Sequence, residues 1–202
     1  MKSTLLQKKY LNDLKYISKL LKKYNPFVFY GTLLGLTRER NLIKDDDDVD
    51  VLVDIKNKKE VIFKLSKIKG FKLNKKISNK YFVQFVHSQN KIKTLIDFYF
   101  YINKKKMNYI VDKHNWLSTI NSKNHEIHIP KKLIFPLKKN KEFPNIFFPK
   151  ECEKLCKFLY GDSWRSSLKK NIGYRMEIVN NQPKLIKRSL LGFLTRTIKS
   201  YF

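Results

Sequence analysis

The sequence predicts an α+β fold, one mixed β-sheet flanked by helices, and three observations carry the prediction. Two stretches, 5–24 and 59–68, repeat apolar residues at helical spacing. Four short runs rich in β-branched and aromatic residues read as strands, at 27–30, 48–53, 81–86 and 94–100. The last two strands are consecutive, joined by a polar turn around Ser88–Asn90, so the sheet is not purely of the alternating parallel kind. At 202 residues the chain fits one domain with enough length to bury a core.

Taken in order, Tyr10, Leu14, Ile17, Leu21 and Tyr24 line one face of the first helix, with lysines on the other. Asn25–Pro26 ends it, because proline disfavours helical geometry in the residue before it. Phe27–Tyr30 then runs as a short strand into Gly31–Thr32, and Leu33–Arg38 reads as a short helix. The acidic run Asp45–Asp48 merges into the strand Val49-Asp50-Val51-Leu52-Val53. Val61, Ile62, Leu65 and Ile68 share a side of the next helix. Residues 103–149 are rich in Lys and Asn, with short apolar patches and scattered prolines, and few elements are placed there. Residues 150–160 read as a helix ending at Gly161.

Composition excludes several classes. The 42% hydrophobic content supports a folded protein rather than a disordered one. No apolar run reaches the roughly 20 residues of a membrane-spanning helix, and the N-terminus turns polar too early for a signal peptide, so the chain reads as cytoplasmic. Cys152 and Cys156 lie four apart on one helix face, a poor geometry for a disulfide and too few ligands for zinc, so they read as reduced thiols. The formal charge is +27, yet only six of 44 basic residues are Arg. Sequence-specific readers of bases and phosphates favour Arg for its planar fork, so the charge does not by itself argue for nucleic acid.

Residues two apart in a strand share a face, so Asp48 and Asp50, and Asp46 if the strand starts early, point together while Val49, Val51 and Val53 enter the core. Two such carboxylates, about 7 Å apart along the chain at ~3.3 Å per residue, can converge on one hard cation. A solvated acidic turn is the competing reading. An EF-hand is excluded: counted from Asp46, Val51 stands where Gly is needed and Asn57 where Glu is needed. Gly31–Thr32, between a strand and a helix, suits a backbone approach to phosphate at a helix N-terminus, or an ordinary tight turn. Asp97, mid-strand among Leu95, Ile96, Phe98 and Tyr99, needs a cationic partner, either a lysine or a metal.

These pieces occur in one order. Tyr30-Gly31-Thr32-Leu33-Leu34-Gly35-Leu36-Thr37-Arg38, then Ile43, then Asp46-Asp47-Asp48-Val49-Asp50, resembles the LicD/fukutin family. That family's signature is G-[TS]-L-L-G-x-x-R followed by I-P-W-D-x-D-x-D. Asp97 in Leu95-Ile96-Asp97-Phe98 resembles its third strand carboxylate. Ile134-Phe135-Pro136-Leu137 and Phe148-Pro149 resemble its later turns, and Leu159-Tyr160-Gly161-Asp162-Ser163-Trp164 its Y-G-x-x-[WYM] segment. The resemblance spans about residues 27 to 165. It departs at Lys44–Asp45, where the family has Pro-Trp, and after Trp164, where no Pro follows; the first change bears on the shape of the acidic loop.

The resemblance implies a nucleotidyltransferase-like sheet and transfer of a phospho-substituent, such as phosphocholine or a polyol phosphate, from a CDP-linked donor to a sugar hydroxyl. The acceptor it implies is a cell-surface glycan such as lipopolysaccharide or capsule, in some cases lipid-linked. Carried onto this chain, Asp48, Asp50 and Asp97 would hold Mg²⁺, with Mn²⁺ as an alternative. Asp97 or Asp46 would act on the acceptor, and Gly31, Thr32 and Arg38 would hold donor phosphates. The domain is read as 1–183, with 184–202 a basic amphipathic tail. In that tail Leu185, Ile186, Leu190, Leu191, Phe193, Leu194, Ile198, Tyr201 and Phe202 fall on one half of a helical wheel, opposite Arg188, Arg196 and Lys199, with Lys187 the exception that would snorkel. This is the pattern of a helix on an anionic membrane, at its inner face, or of a stripe packed on the domain. The alternative functions are a nucleotidyltransferase of the same fold acting on nucleic acid or a small molecule, a glycosyltransferase, and a basic binding module.

Overall fold

A computed structural model describes residues 4–44, 46–89, 92–114, 126–166 and 174–187. A seven-stranded mixed sheet runs in the order β3-β4-β5-β2-β1-β9-β8. Its strands are β1 (Phe27–Val28), β2 (Asp48–Asp54), β3 (Phe71–Leu73), β4 (Phe82–Gln89), β5 (Ile92–Tyr101), β8 (Lys138–Lys139) and β9 (Phe147–Phe148). β2 is central, parallel to β5 and antiparallel to β1. β4 joins β5 antiparallel through the expected hairpin. Two ribbons stand apart, β6 (Tyr109–Asp112) with β7 (Ile127–Pro130), and β10 (Tyr174–Val179) with β11 (Gln182–Lys187). The α+β prediction therefore holds.

Helix α1 (Leu5–Leu20) starts at a capping box, in which Thr4 Oγ1 accepts from Gln7 N–H and Gln7 Oε1 accepts from Thr4 N–H. It packs on β2 and β5, where Tyr10, Leu14 and Ile17 join Val49, Val51, Val53, Ile96, Phe98 and Phe100 in the core. Buried Asp13 fastens the helix to the sheet. It pairs with Lys9 at 2.5 Å and His87 at 3.0 Å, and accepts from Thr94 Oγ1 at 2.5 Å. Each partner satisfies part of a carboxylate that would otherwise be costly to bury.

The opposite face carries Asp48, Asp50, Asp97 and Tyr99, and α2 (Tyr30–Arg38) packs on β2; α5 (Cys152–Tyr160) packs on α2, and α4 (Lys131–Ile134) on α5. Helix α3 (Lys58–Ser66) follows β2. Among the described residues no helix is long and apolar enough to cross a membrane. Cys152 and Cys156 are free thiols whose burial pushes them up to about 11 and about 12, as inert thiols require.

Two readings need correction. Leu185 and Ile186 are not helical but lie in β11, paired with Met176 and Arg175, so a tail beginning at 184 would cut through a hairpin. The cause is the turn between the strands: Asn180 and Asn181 both take positive φ, 52° and 60°, the two-residue turn whose twist suits paired strands. Residues 188–202 of the predicted helix lie outside the described residues. The second concerns 103–149, where the sequence places few elements; among its described residues β6, β7, α4, β8 and β9 form.

Candidate active site

Asp50 and Asp97 are direct register partners across β2 and β5. With Asp48 they bring carboxylate oxygens within 4.8 Å of one another. Asp50 and Asp97 are 5% and 6% exposed, and Asp48 is half-buried. Among the described residues no lysine or arginine forms an ion pair with any of the three. Such company disfavours the ionised form of each carboxyl. Burial, then Asp97, raises Asp48 to about 7. Burial, then Asp48, raises Asp50 well above the ordinary range. Burial raises Asp97 to about 6 against the lowering pull of Gln84. Three carboxylates, two buried and one half-buried, with no cationic partner among the described residues are a set that a hard divalent cation fits.

The acidic strand begins at Asp48, so Asp46 is not on it as an early start would require. It arrives by a turn, its N–H donating to Ile43 O at 3.3 Å. Asp46 and Asp47 join Asp48 in a second acidic group. Burial and Asp47 raise Asp46 to about 6. The glycine beside it explains the approach: a Cβ on Gly31 would lie 3.0 Å from Asp46 Oδ2 and 3.1 Å from Asp50 Oδ2. Only a residue without a side chain leaves these oxygens together.

Thr32 is 1% exposed and clasps Asp50 from α2. Its Oγ1 accepts from Asp50 N–H at 2.8 Å, and its own N–H donates to Asp50 Oδ2 at 3.4 Å. That backbone donor is thus taken by a carboxylate, and the next one, Leu33 N–H, by the Phe29 carbonyl at 2.9 Å. The turn itself is bent: Phe29 is extended, whereas Tyr30 has φ 38°, a strained value for a bulky residue and one that clusters at functional sites. Tyr30 is held there by its hydroxyl, which donates to the buried carboxylate of Asp112. Burial raises Asp112 to about 6 despite that bond.

Arg38 is placed apart from the carboxylates. It stands seven residues past Gly31, about 10 Å along the helix at 1.5 Å per residue. Its guanidinium pairs with Glu39 at 2.5 Å and donates to the carbonyls of Trp164 and Ser166, each at 3.4 Å. In this arrangement Arg38 braces α2 against the turn at Asp162–Arg165.

Sequence reasoning missed Gln84. It stands opposite Asp97 on β4 and donates from Nε2 to Asp97 Oδ1 at 2.8 Å. Asn74 Nδ2 donates in turn to Gln84 Oε1 at 2.9 Å, which fixes the amide with its nitrogen toward the carboxylate. A polar residue inside the apolar run Tyr81–Val86 was the available signal.

Carboxylates paired across adjacent strands, beside a helix opened by glycine, define a nucleotidyltransferase-type domain. The chain belongs to the LicD/FKTN/FKRP family, whose nucleotidyltransferase domain matches residues 24–147, more than half of the protein. Membership makes it a transferase of the phosphotransferase type that acts on glycans. No curated protein matches the chain significantly. A solved candidate nucleotidyltransferase from Thermotoga maritima is 14% identical with a TM-score of 0.29, covering 96% of this chain and 86% of that one. Similarity at that level carries no argument about mechanism.

Proposed function

We propose that the protein is a metal-dependent phosphotransferase that moves a phospho-substituent from a CDP-activated donor to a sugar hydroxyl. The observation behind this reading is the convergence of Asp48, Asp50 and Asp97 within 4.8 Å inside the family-matched region. These three residues would hold Mg²⁺, or Mn²⁺ in its place, and the ion would neutralise the donor pyrophosphate and the departing CMP. Gln84 and Thr32 keep Asp97 and Asp50 aimed at a common point. Asp46 stands outside the three-carboxylate set and is half-buried against Gly31, which suits it to take the acceptor proton. In the transfer a sugar oxygen–phosphorus bond forms, the pyrophosphate bridge breaks, CMP leaves, and the hydroxyl proton passes to the Asp46 carboxylate. The large positive charge of the chain draws anionic donors towards it. A lipid-linked acceptor and peripheral membrane binding through residues 188–202 belong to the same proposal.

The test is a set of incubations with CDP-choline, CDP-ribitol or CDP-glycerol, with and without Mg²⁺ and glycan acceptors, read by CMP release. The expected result is Mg²⁺-dependent CMP release that acceptor glycans stimulate. Release of a nucleoside diphosphate from sugar nucleotides, or nucleotide addition to RNA with no CMP from any CDP donor, would overturn the reading.

A further inference from the structure

The strand pair that carries the carboxylates carries a second polar row at its other end. Four residues beyond Asp50 and Asp97, Asp54 stands opposite Tyr101. Strand alternation puts all four on one face. At ~3.3 Å per residue the two rows are about 13 Å apart, with buried Leu52 and Tyr99 between them. The second row opens into a cavity of about 480 Å³, a size that suits small-molecule sites. Asp54 and Tyr101 form its floor, exposed Asn25 and Asn103 its rim, and Phe135 and Phe147 its apolar walls.

Tyr101 points to a ligand. It is 5% exposed, and its ring packs on Phe27 and Phe135 at 6.0 and 6.5 Å. Among the described residues its hydroxyl forms no hydrogen bond and is not sealed in the core, where Thr37 Oγ1 is the one unsatisfied buried side-chain atom, so it is open to the cavity. Burial and neighbouring Asp54 push its phenol above the ordinary value, so it stands as a neutral donor. Asp54 keeps accepting capacity. One oxygen takes Lys56 N–H at 3.1 Å, and among the described residues the other has only the Lys56 ammonium, 3.7 Å away on a side chain that is 74% exposed. A carboxylate at the floor disfavours a phosphate, and Lys23 at the margin lies over the Tyr24 ring at 4.8 Å. A phenol, a carboxylate and two carboxamides, set between aromatic rings, match a ring of vicinal hydroxyls with apolar C–H faces. Each such hydroxyl both donates and accepts.

We propose that this cavity is a saccharide-binding subsite, separate from the carboxylate cluster, that engages a second portion of the glycan. The ligand class rests on the glycan-directed reading above; the cavity and its open hydroxyl do not. The test uses free glucose, galactose, N-acetylgalactosamine and lactose, observed by saturation-transfer NMR with the full chain in EDTA. Binding in the millimolar range is expected, and it should persist in Asp48→Asn. Tyr101→Phe should weaken it about fivefold, the order of one hydrogen bond, and leave the melting temperature unchanged because the hydroxyl has no protein partner. Asn103→Ala should also weaken it. Absence of saccharide binding, equal binding in Tyr101→Phe, or displacement of the sugars by CMP would overturn the subsite. Saccharide binding without CMP release from any CDP donor would leave the subsite standing and remove the transferase reading; the converse would do the opposite.

Discussion

Asp50 and Asp97 face each other across the parallel pair β2 and β5, and Gln84 faces Asp97 from the other side on β4. Three polar residues thus form one row across three buried strands. Two are acids with no cation beside them among the described residues, the arrangement a protein tolerates when something else supplies the charge. Substituting one acid should separate stability from activity. Asp48→Asn is expected to raise the melting temperature in EDTA, because it removes one of the repelling carboxylates. The same change should drop CMP release below about 1% of wild type, because an amide is a poor ligand for a hard cation. Scanning calorimetry beside the CMP assay reads both; a destabilised yet active variant would contradict the assignment.

The same carboxylates predict a pH dependence with a definite sign. Unfolded aspartates titrate near 3.9, whereas Asp46 and Asp97 are raised to about 6 and Asp48 to about 7. Between about pH 4 and 7 the folded chain therefore holds more protons than the unfolded one, and stability falls as pH rises. In EDTA the melting temperature of the wild type should fall relative to Asp48→Asn across that window. Saturating Mg²⁺ should remove most of the difference near pH 7.5 by binding the folded state alone. Parallel curves at every pH would count against the coupling.

Gln84 should act through Asp97 rather than on substrate. Gln84→Ala frees the Asp97 carboxylate to rotate away from Asp48 and Asp50, and outer partners of metal ligands typically contribute about 10–100-fold in affinity. Calorimetric titration with Mn²⁺ should show weaker binding by that order, with the far-UV spectrum unchanged. Asn74→Ala should have a smaller effect in the same direction, since it releases only the amide that Asn74 orients.

How far this site was legible follows from which contacts are local. The strand period placed Asp48 and Asp50 on one face, and an acid within an apolar run marked Asp97. Neither signal says which strands are neighbours, so the Gln84–Asp97–Asp50 row was hidden until the sheet order put β4, β5 and β2 side by side. Tyr30 belongs to a strand by propensity but turns the chain with a left-handed backbone, because a buried acid 82 residues away holds its hydroxyl. The contacts of Arg38 were not legible because a helical residue's direction depends on what covers the helix, here the turn carrying Trp164. The 185–187 segment shows apolar spacing that suits a helix, yet the adjacent Asn180–Asn181 turn commits it to a hairpin.

The two glycines of α2 should fail in different ways. A Cβ on Gly35 would lie 2.7 Å from the Asn41 carbonyl oxygen and 2.8 Å from Ile43 N, both backbone atoms of the loop that leads to Asp46. Gly35→Ala must push that loop away and should cost about 1–3 kcal/mol, as overpacking does. At Gly31 the obstacles are the ends of two acid side chains, of which Asp50 is held by Thr32 and Asp46 is freer to swing. Gly31→Ala should keep its stability and lose Mn²⁺ affinity and turnover. Urea unfolding and metal titration on both variants test the distinction.

Arg38 should be a brace, and Arg38→Lys is the informative change. Its side chain is 14% exposed, paired with Glu39, and reaches two carbonyls of the segment after α5. A planar guanidinium can serve Glu39 through one edge and the carbonyls through another, whereas an ammonium is a single point that cannot span both. The substitution should therefore cost about 1–2 kcal/mol, the order of the charged hydrogen bonds it loses. It should loosen the packing of Trp164, which is 5% exposed. With Trp116→Phe as background, Trp164 is the only tryptophan left of two, so its emission reports that turn alone and should shift red in Arg38→Lys. The KM for a CDP-linked donor should stay within about twofold, because uniform binding of donor does not pass through Arg38. A variant with unchanged emission and unchanged stability but a KM raised tenfold would return Arg38 to the donor phosphates.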